Sequence, residues 1–274
     1  MLFRSNRFMK QLKLMVLTLT LLMGTMFTSC MDSGESGPQQ WAGVVKVNDR
    51  MGYVTFTDAA GTELIPTNTI PVTLNARMAY IYCQVDEGQD LSTNPKSIKI
   101  TLLADPTGID ATAITTPKVE SSDVTTNAPV GSLSFASGYS TVAPFQFSEN
   151  TIVLPVLYRV KNVTTTEDIK NELAKHTFTL VCYTDDIKSG DTILKLYLRY
   201  KVEDEPAAIA ERATRTSSFK AYEISQILRE YTLKSGQTKP AKITIVAQQN
   251  EYNNKLEDTS TIEKVYEIEY KTAE

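Results

Sequence analysis

Apolar and polar residues alternate at the spacing of β-strands along most of the chain after residue 40. In TIVLPVLYRV (151–160) and TILKLYLRYKV (192–202) every second residue is apolar. Because successive side chains of a strand point to opposite faces, each run predicts a strand with one buried face. Pro155 lacks a backbone N–H, so it predicts that the first of these strands lies at an edge or carries a bulge.

Shorter runs with the same alternation crowd the region before residue 105. They are GVVKVN (43–48), GYVTFTD (52–58), TELIP (62–66), RMAYIYCQV (77–85) and SIKITLL (97–103). The first two are separated by only three residues, which is the spacing of a short hairpin. Five short strands in about 65 residues, without a convincing helix, predict a small OB-like β-barrel.

Helical patterns are few and short. TTEDIKNELAK (165–175) has Ile169 and Leu173 four residues apart behind the cap-like Thr165, and ISQILREY (224–231) forms a second candidate. The remaining long runs all have the strand period. The predicted fold class is therefore all-β: an OB-like barrel followed by an antiparallel β-sandwich-like domain, with one or two short helices.

The segment between the two strand-rich regions has a different composition. Residues 105–130 are rich in Thr, Ser, Asp and Pro, which predicts a polar linker or long loop. The predicted organisation is a signal peptide (1–29), a lipidated cysteine and flexible tether (30–40), a barrel domain (41–104), the linker (105–130) and a sandwich domain (131–274).

The first 30 residues have the three zones of a lipoprotein signal peptide. A basic start is followed by an uncharged apolar run from Leu14 to Ser29, and the small residues Thr28 and Ser29 precede Cys30. The run is shorter than the roughly 20 residues of a membrane span. We therefore expect cleavage before Cys30 and lipidation of its thiol, which would anchor the protein to a membrane.

Charge and cysteine content narrow the range of functions that the chain can have. The signal peptide carries four basic residues and no acid, so its removal changes the formal charge from −4 to −8. An acidic chain without a long basic cluster is not expected to bind nucleic acid. Cys83 and Cys182 lie within alternating runs and are interpreted as core thiols, although an oxidising compartment would also permit a disulfide.

Three stretches resemble the NigD-like lipoprotein family of Bacteroidetes. They are residues 43–68, the run from TFTLVCYTDD to ILKLYLRYKVED (177–204), and SSFKAYEISQIL (217–228). The resemblance implies an N-terminal OB-type domain and a C-terminal β-sandwich behind a lipidated cysteine. Asp32 and Glu35 resemble the acidic signals that direct such lipoproteins to the cell surface. We therefore expect an outer-membrane protein that is surface-exposed rather than periplasm-facing.

Candidate catalytic chemistry is sparse. His176 is the one histidine, and it is expected at the surface at the end of the first helix. One histidine and two dispersed thiols cannot form a zinc site of the usual kind. The acidic turns 202–205 and 183–186 lack the spacing of a calcium-binding EF-hand loop. No catalytic residue, metal or cofactor is therefore predicted.

Two kinds of binding or modification site remain as hypotheses. Aromatic residues of the barrel could stack on a glycan, although packing is the more common role of such residues; they are Trp41, Tyr53, Tyr80 and Tyr82. Asp191-Thr192-Ile193 resembles an O-glycosylation sequence of the Bacteroidetes envelope, which would make Thr192 the modified residue.

The function that follows is a non-enzymatic binding or interaction module for an unknown protein or glycan at the outer membrane. Two alternatives remain. One is a hydrolase acting on envelope or dietary polysaccharide, which would need a clustered pair of carboxylates in a deep cleft. The other is a structural or assembly component of an outer-membrane complex. Fold class cannot distinguish them.

Overall fold

The computed structural model describes residues 39–50, 53–68, 74–91, 95–121, 123–137 and 140–272, of which nearly half form β-strands. Their contacts divide them into two units. The barrel unit holds the described residues up to Asp110 together with Ala136–Val142, and the sandwich unit holds Ala111–Phe135 and Ala143–Glu274. The predicted all-β class is confirmed.

The barrel unit is closed by five strands. They are β1 (Gln40–Arg50), β2 (Tyr53–Thr57), β3 (Glu63–Pro66), β4 (Met78–Val85) and β5 (Ser97–Leu102). Neighbours follow the order β1-β2-β3-β5-β4, and β4 pairs again with β1. Only β3 and β5 run parallel among these pairs. Closure removes the sheet edges and gives an OB-type barrel. A sixth, short strand, β6 (Thr107–Ile109), pairs antiparallel with the first three residues of β4.

The barrel encloses a small core of alternate strand residues. Its fully buried members include Val45, Phe56 and Ile81, and the ring of Trp41 packs against this core. A Cβ atom at Gly43 would lie 2.6 Å from Cζ2 of Trp41. Glycine at residue 43 is therefore what allows the indole ring to lie flat against its own strand.

The sandwich unit is built from two four-stranded sheets. The first sheet has the strand order β10-β11-β14-β7, and its strands are β10 (Phe145–Ser148), β11 (Thr151–Val160), β14 (Thr214–Glu223) and β7 (Ala111–Ala113). The second sheet has the strand order β12-β13-β15-β16, and its strands are β12 (His176–Val181), β13 (Ile193–Val202), β15 (Lys242–Gln249) and β16 (Ile262–Glu269). Apolar residues from both sheets form one core, among them Leu154, Leu196 and Ile245. A separate pair of short strands, β8 (Phe135–Ser137) and β9 (Ser140–Val142), forms a two-stranded sheet.

Both sandwich sheets are mixed rather than purely antiparallel, which differs from the prediction. β15 pairs parallel with β13, and β7 pairs parallel with β14. The chain between β13 and β15 contains a helix, β14 and a second helix, so it has room to return to the same end of the sheet.

Three α-helices occur in the described part of the chain, where one or two were predicted. They are α1 (Thr166–Ala174), α2 (Pro206–Ala210) and α3 (Ser225–Ser235). Thr165 caps α1 as expected, because its side chain accepts the Asp168 N–H at 3.1 Å. Gly236 ends α3 with a φ of 75°. None of the described helices combines the length and apolar composition needed to cross a membrane.

The predicted polar linker, residues 105–130, is largely part of the sandwich unit. β7 extends one sheet, and Thr115 bridges to β12 in the other. The Asn127 side chain accepts the N–H of Val202 at 2.8 Å and donates to its carbonyl at 2.9 Å, as a paired strand residue would. Polar side chains of the segment thus bond to backbone groups instead of water. Three apolar residues near its end are buried, whereas Val119 is exposed; the buried residues are Val124, Ala128 and Val130.

Pro155 lies in a central strand, which corrects the prediction of an edge or bulge at this residue. β10 pairs with β11 only as far as Phe145, opposite Val153. The next partner on that side is Ser132, which accepts the N–H of Leu157 at 2.8 Å. Residues two apart in a strand point their N–H groups the same way. The missing N–H of Pro155 therefore falls in the gap between two partners, and no ladder bond is lost.

Candidate functional site

Two arginines face each other across strands β11 and β14 of the sandwich unit. Arg159 and Arg215 are direct partners in the antiparallel register. Strand alternation turns Val156 and Tyr158 toward the core, so Arg159 projects from the opposite face of β11. Arg159 is nevertheless only 4% exposed, whereas Arg215 is exposed. Directly opposed residues have Cβ atoms about 4.5–5.5 Å apart, so the two positive charges lie close together.

Backbone carbonyl groups hold the Arg159 guanidinium in place. They belong to the loop after β15, residues 250–261, which we call the asparagine loop. Nη1 of Arg159 donates to the carbonyl oxygens of Asn250 and Asn253, both at 3.1 Å, and Nη2 donates to that of Glu251. Arg215 Nη2 donates to the same Glu251 oxygen at 2.6 Å. Both arginines therefore donate hydrogen bonds to the backbone at the start of the asparagine loop.

The asparagine loop is also braced from within. The Asn250 side chain accepts the N–H groups of Tyr252 and Asn253 at 2.9 and 3.0 Å, and donates to Thr261 at 3.0 Å. The Asn253 amide donates to Asp258 at 3.0 Å. These bonds leave the Tyr252 side chain 79% exposed on a fixed backbone. An exposed aromatic ring on an ordered loop can contact a ligand at little entropic cost.

A pocket of about 130 Å³ lies beside the two arginines. Arg159, Arg215 and Glu251 line it, together with Ser132 and Tyr158, and we call it the arginine pocket. Sites that enclose whole drug-sized ligands measure roughly 300–1,000 Å³. The arginine pocket therefore has room for one terminal group of a larger ligand.

The arginine pocket carries more positive than negative charge, because two arginines line it together with one carboxylate, that of Glu251. In the described part of the chain, no ion pair involves Arg159 or Arg215. One carboxylate oxygen of Glu251 instead accepts the Gln249 amide at 3.0 Å. Burial, followed by repulsion from Arg215, lowers the pKa of Arg159 from its ordinary value. A guanidinium still keeps its proton at any physiological pH, so the unbalanced charge persists.

A second polar cluster lies deep in the sandwich unit around Arg212, whose side chain is fully buried. Its Nε and Nη2 donate to the two carboxylate oxygens of Glu172 at 2.7 and 3.2 Å, and Nη2 also donates to Asp204 at 3.1 Å. Lys161 and Lys175 donate to the same Asp204 oxygen, each at 3.2 Å. We call these five residues the Arg212 network.

Both carboxylates of the Arg212 network are held in the charged state. Burial alone would raise the pKa of Glu172, but hydrogen bonds from Arg212, the Lys161 backbone and His176 outweigh it and lower the pKa. Hydrogen bonds from Arg212, Lys161 and Lys175 hold the pKa of Asp204 well below its ordinary range. Neither carboxylate can therefore carry the proton that a glycosidase acid needs near neutral pH.

His176 is buried beside the Arg212 network, which corrects the expectation of a surface histidine. Its Nδ1 lies 2.7 Å from the Tyr200 hydroxyl and its Nε2 lies 3.3 Å from Glu172. Burial lowers the pKa of His176; Glu172 opposes this shift, while the charges of Arg212 and Lys220 add to it. The histidine is therefore a neutral core residue and not the cationic end of a helix.

The predicted stacking residues do not form one surface. Trp41 lies on the core side of the barrel, whereas Tyr80 and Tyr82 lie on the opposite face of β4 from the core residue Ile81. Tyr80 is buried, and Tyr53 is 56% exposed. The register places Tyr53 opposite the last residue of β1 and Tyr80 six residues earlier along that strand, about 20 Å away.

Other residues singled out in the sequence have varied positions. Cys30 lies outside the described residues. Cys83 and Cys182 are free and buried, and burial raises the pKa of each thiol to about 12.

Thr192 is exposed just before β13, as its proposed modification requires, and the modification itself stays a prediction. Of the predicted acidic turns, Asp185 pairs with Lys234 at 3.0 Å. The described residues contain no group of three or more His, Cys, Asp or Glu residues arranged to hold a metal.

Sequence reasoning missed Arg159, Arg215 and Tyr252. The signals were present but weak: a charged residue near the end of a clean apolar run, and the asparagine-rich NEYNN (250–254) after a strand. The sequence did not predict that β11 pairs with β14. This pairing makes Arg159 and Arg215 direct partners although they are far apart in the chain.

A closed OB-type barrel followed by a two-sheet sandwich defines a class of two-domain all-β proteins. Among solved structures, the crystal structure of a lipoprotein from Bacteroides fragilis NCTC 9343 is 96% identical in sequence, with a TM-score of 0.79; the match covers 86% of this chain and 100% of that chain. The chain belongs to this family of Bacteroides lipoproteins, which confirms the family recognised in the sequence. A lipoprotein is held at a membrane of the cell envelope.

Two further solved structures resemble the chain at low identity, and the first of them shares its fold. A protein of unknown function from Bacteroides vulgatus ATCC 8482 is 12% identical, with a TM-score of 0.54 and coverage of 85% of this chain and 92% of that chain. A NigD-like immunity protein from Bacteroides caccae ATCC 43185 is 11% identical, with a TM-score of 0.47 and coverage of 85% and 94%. No protein-family model matches the chain, and the comparison with curated proteins gives no match.

Proposed function

We propose that this lipoprotein is a non-enzymatic binding module of the outer membrane that takes a glycan at the arginine pocket. The observation that carries the proposal is the position of Tyr252 on the asparagine loop. Tyr252 is exposed, and it directly follows Glu251, which lines the arginine pocket. Sugar rings present apolar faces and hydroxyl groups. An aromatic side chain beside charged hydrogen-bonding groups matches both.

A binding role accounts for the polar clusters better than a catalytic one. The buried Glu172 and the partly exposed Asp204 share one guanidinium and have lowered pKa values. Arg159 and Arg215 offer hydrogen-bond donors but no nucleophile or base. A preorganised set of hydrogen-bond donors around a single carboxylate, that of Glu251, supports recognition rather than the two-carboxylate chemistry of a glycosidase.

Binding is tested with the full mature protein in detergent on an array of purified neutral and acidic glycans. Tyr252→Ala should reduce binding by about tenfold or more, because aromatic contacts dominate such sites. Leu233→Ala is the matched control, since Leu233 is equally exposed, at 78%, on α3. Equal binding by both variants and the unmodified protein would refute the site.

The signal peptide predicted from the sequence supports an outer-membrane location, which is tested separately. We expect a lipid anchor at Cys30, in the outer membrane and facing the cell exterior. Cys30→Ala should abolish incorporation of labelled palmitate and leave an uncleaved precursor. External protease should degrade the unmodified protein on intact cells; its survival until the outer membrane is permeabilised would contradict the surface location.

A further inference from the structure

The charge of the arginine pocket identifies the kind of sugar it accepts. Like charges that are directly opposed on neighbouring strands destabilise a sheet. Arg159 and Arg215 are such a pair, and their partners are carbonyl dipoles rather than carboxylates. Arg159 is also buried, so water screens its charge poorly. A ligand with negative charge would remove this repulsion on binding.

Arg215 has further N–H groups that can donate hydrogen bonds to such a ligand. A guanidinium carries five N–H donors, and the protein engages one Nη2 donor of Arg215, which bonds to Glu251. The remaining donors belong to an exposed side chain on the pocket rim. Two parallel N–H groups of an arginine match the two oxygens of a carboxylate.

The other residues that line the arginine pocket limit the charge and the size of the group that it can bind. Glu251 also lines the pocket, and its carboxylate would repel a doubly charged phosphate more strongly than a singly charged carboxylate. The volume of about 130 Å³ admits one small group. Tyr252, adjacent in the chain to Glu251, is exposed to contact the face of the ring that bears that group.

We propose that the arginine pocket binds the carboxylate of an acidic sugar residue, with Arg215 as its principal partner and Arg159 as the buried charge behind it. This inference rests on the proposed glycan-binding function and adds the chemical class of the ligand. The free acid sugar and the same residue within a polymer share this chemistry.

The test compares three matched probes: a galacturonic acid trimer, its methyl ester and the corresponding neutral galactose trimer. Calorimetric titration of the full mature protein should show binding of the acid at least tenfold tighter than of the ester or the neutral trimer. Monomeric galacturonate, titrated alongside, distinguishes the free sugar from the polymer. Binding of the acid should also weaken as salt is added.

Two arginine variants make the test specific to the pocket. Arg215→Gln should remove the preference for the acid, whereas Arg229→Gln should not, because Arg229 is exposed on α3 and the change in charge is the same. Equal affinity for acid and neutral trimers, with Tyr252→Ala still weakening both, would overturn the acidic-sugar inference while the proposed function stands. Acidic peptides binding in place of every sugar would overturn both.

Discussion

The sandwich unit buries two arginines in opposite ways. Arg212 has its charge balanced by Glu172 and Asp204. Arg159, almost as buried, is surrounded by carbonyl oxygens and faces a second arginine. A buried charge is costly unless it is paired, so the first arrangement is complete as a structural link. The second keeps a charge that a ligand can satisfy.

The comparison shows that burial alone does not distinguish a structural charge from a binding one. What distinguishes them is the charge of the partners and access to solvent. The Arg212 network joins α1 to the chain around α2 inside the fold. The arginine pocket meets solvent at Arg215 and Glu251. Substitutions of three arginines and a change of pH test this difference.

Replacing Arg212 should cost the most stability. Arg212→Met would leave Glu172 buried without its cation, and breaking a buried ion pair costs about 3–5 kcal/mol. Chemical denaturation of the full mature protein measures the free energy of unfolding. Arg229→Met serves as an exposed control, with an expected change within about 0.5 kcal/mol. A loss below about 1 kcal/mol for Arg212→Met would show that the network is not structural.

Replacing Arg159 should cost less. Arg159→Met would leave carbonyl groups of the asparagine loop without their donor, at about 1–3 kcal/mol, but it would leave no buried carboxylate unpaired and would relieve the repulsion from Arg215. The same denaturation measurement applies. If Arg159→Met were as destabilising as Arg212→Met, the two arginines would have the same structural role and the comparison would fail.

Acidification should weaken the protein through His176 before it affects the carboxylates. The folded-state pKa of His176 is lowered, so the unfolded chain binds its proton first. The stability contribution is complete above the unfolded pKa of about 6.5 and declines as pH falls below it. Glu172 and Asp204 also have lowered pKa values, so their contribution is lost only below about pH 4.5.

The His176 contribution is measured by thermal unfolding of the unmodified protein and of His176→Gln between pH 7.5 and 5.5. The variant should be less stable at pH 7.5, since it disturbs the contact with Tyr200, but its melting temperature should change less with pH. Parallel curves across this range would show that His176 does not titrate on unfolding.

Replacing Arg215 should have the smallest effect on stability. Arg215→Gln changes an exposed side chain, and such changes usually lie within about 0.5 kcal/mol. Removal of a like charge opposite Arg159 should make the change neutral or slightly stabilising. Denaturation on the protein used for the galacturonate titrations checks this. A large destabilisation would mean that Arg215 holds the asparagine loop together and is not free for a ligand.

Strand period predicted much of the fold but not the polar contacts. β11 and β13 lie where the alternation of residues 151–160 and 192–202 placed them. On α1, however, hydropathy favours burial of Leu173, while the structure buries Glu172 and leaves Leu173 44% exposed. The partner of Glu172 is 40 residues away. A charge that is buried because of a distant partner leaves no local pattern in the sequence.

The segment before the sandwich, predicted to be a polar linker, is partly buried for a related reason. Val124, Ala128 and Val130 follow no strand or helix period, so their burial had no recognisable pattern. Asn127 bonds through its side chain where a strand would bond through its backbone. Composition describes such a segment as a loop, and only its tertiary partners make it part of the core.

The indole ring over Gly43 gives the protein a built-in optical reporter. Trp41 is the only tryptophan among the 274 residues, and it packs against the core of the barrel unit. Light absorbed by indole but not by phenol therefore excites one known position, while the sandwich unit contributes only tyrosine and phenylalanine. Tryptophan emission therefore follows the melting of the barrel unit alone, whereas tyrosine emission follows both units, because Tyr53, Tyr80 and Tyr82 belong to the barrel. A change in tyrosine emission at a temperature where tryptophan emission stays constant would show that the sandwich unit unfolds independently.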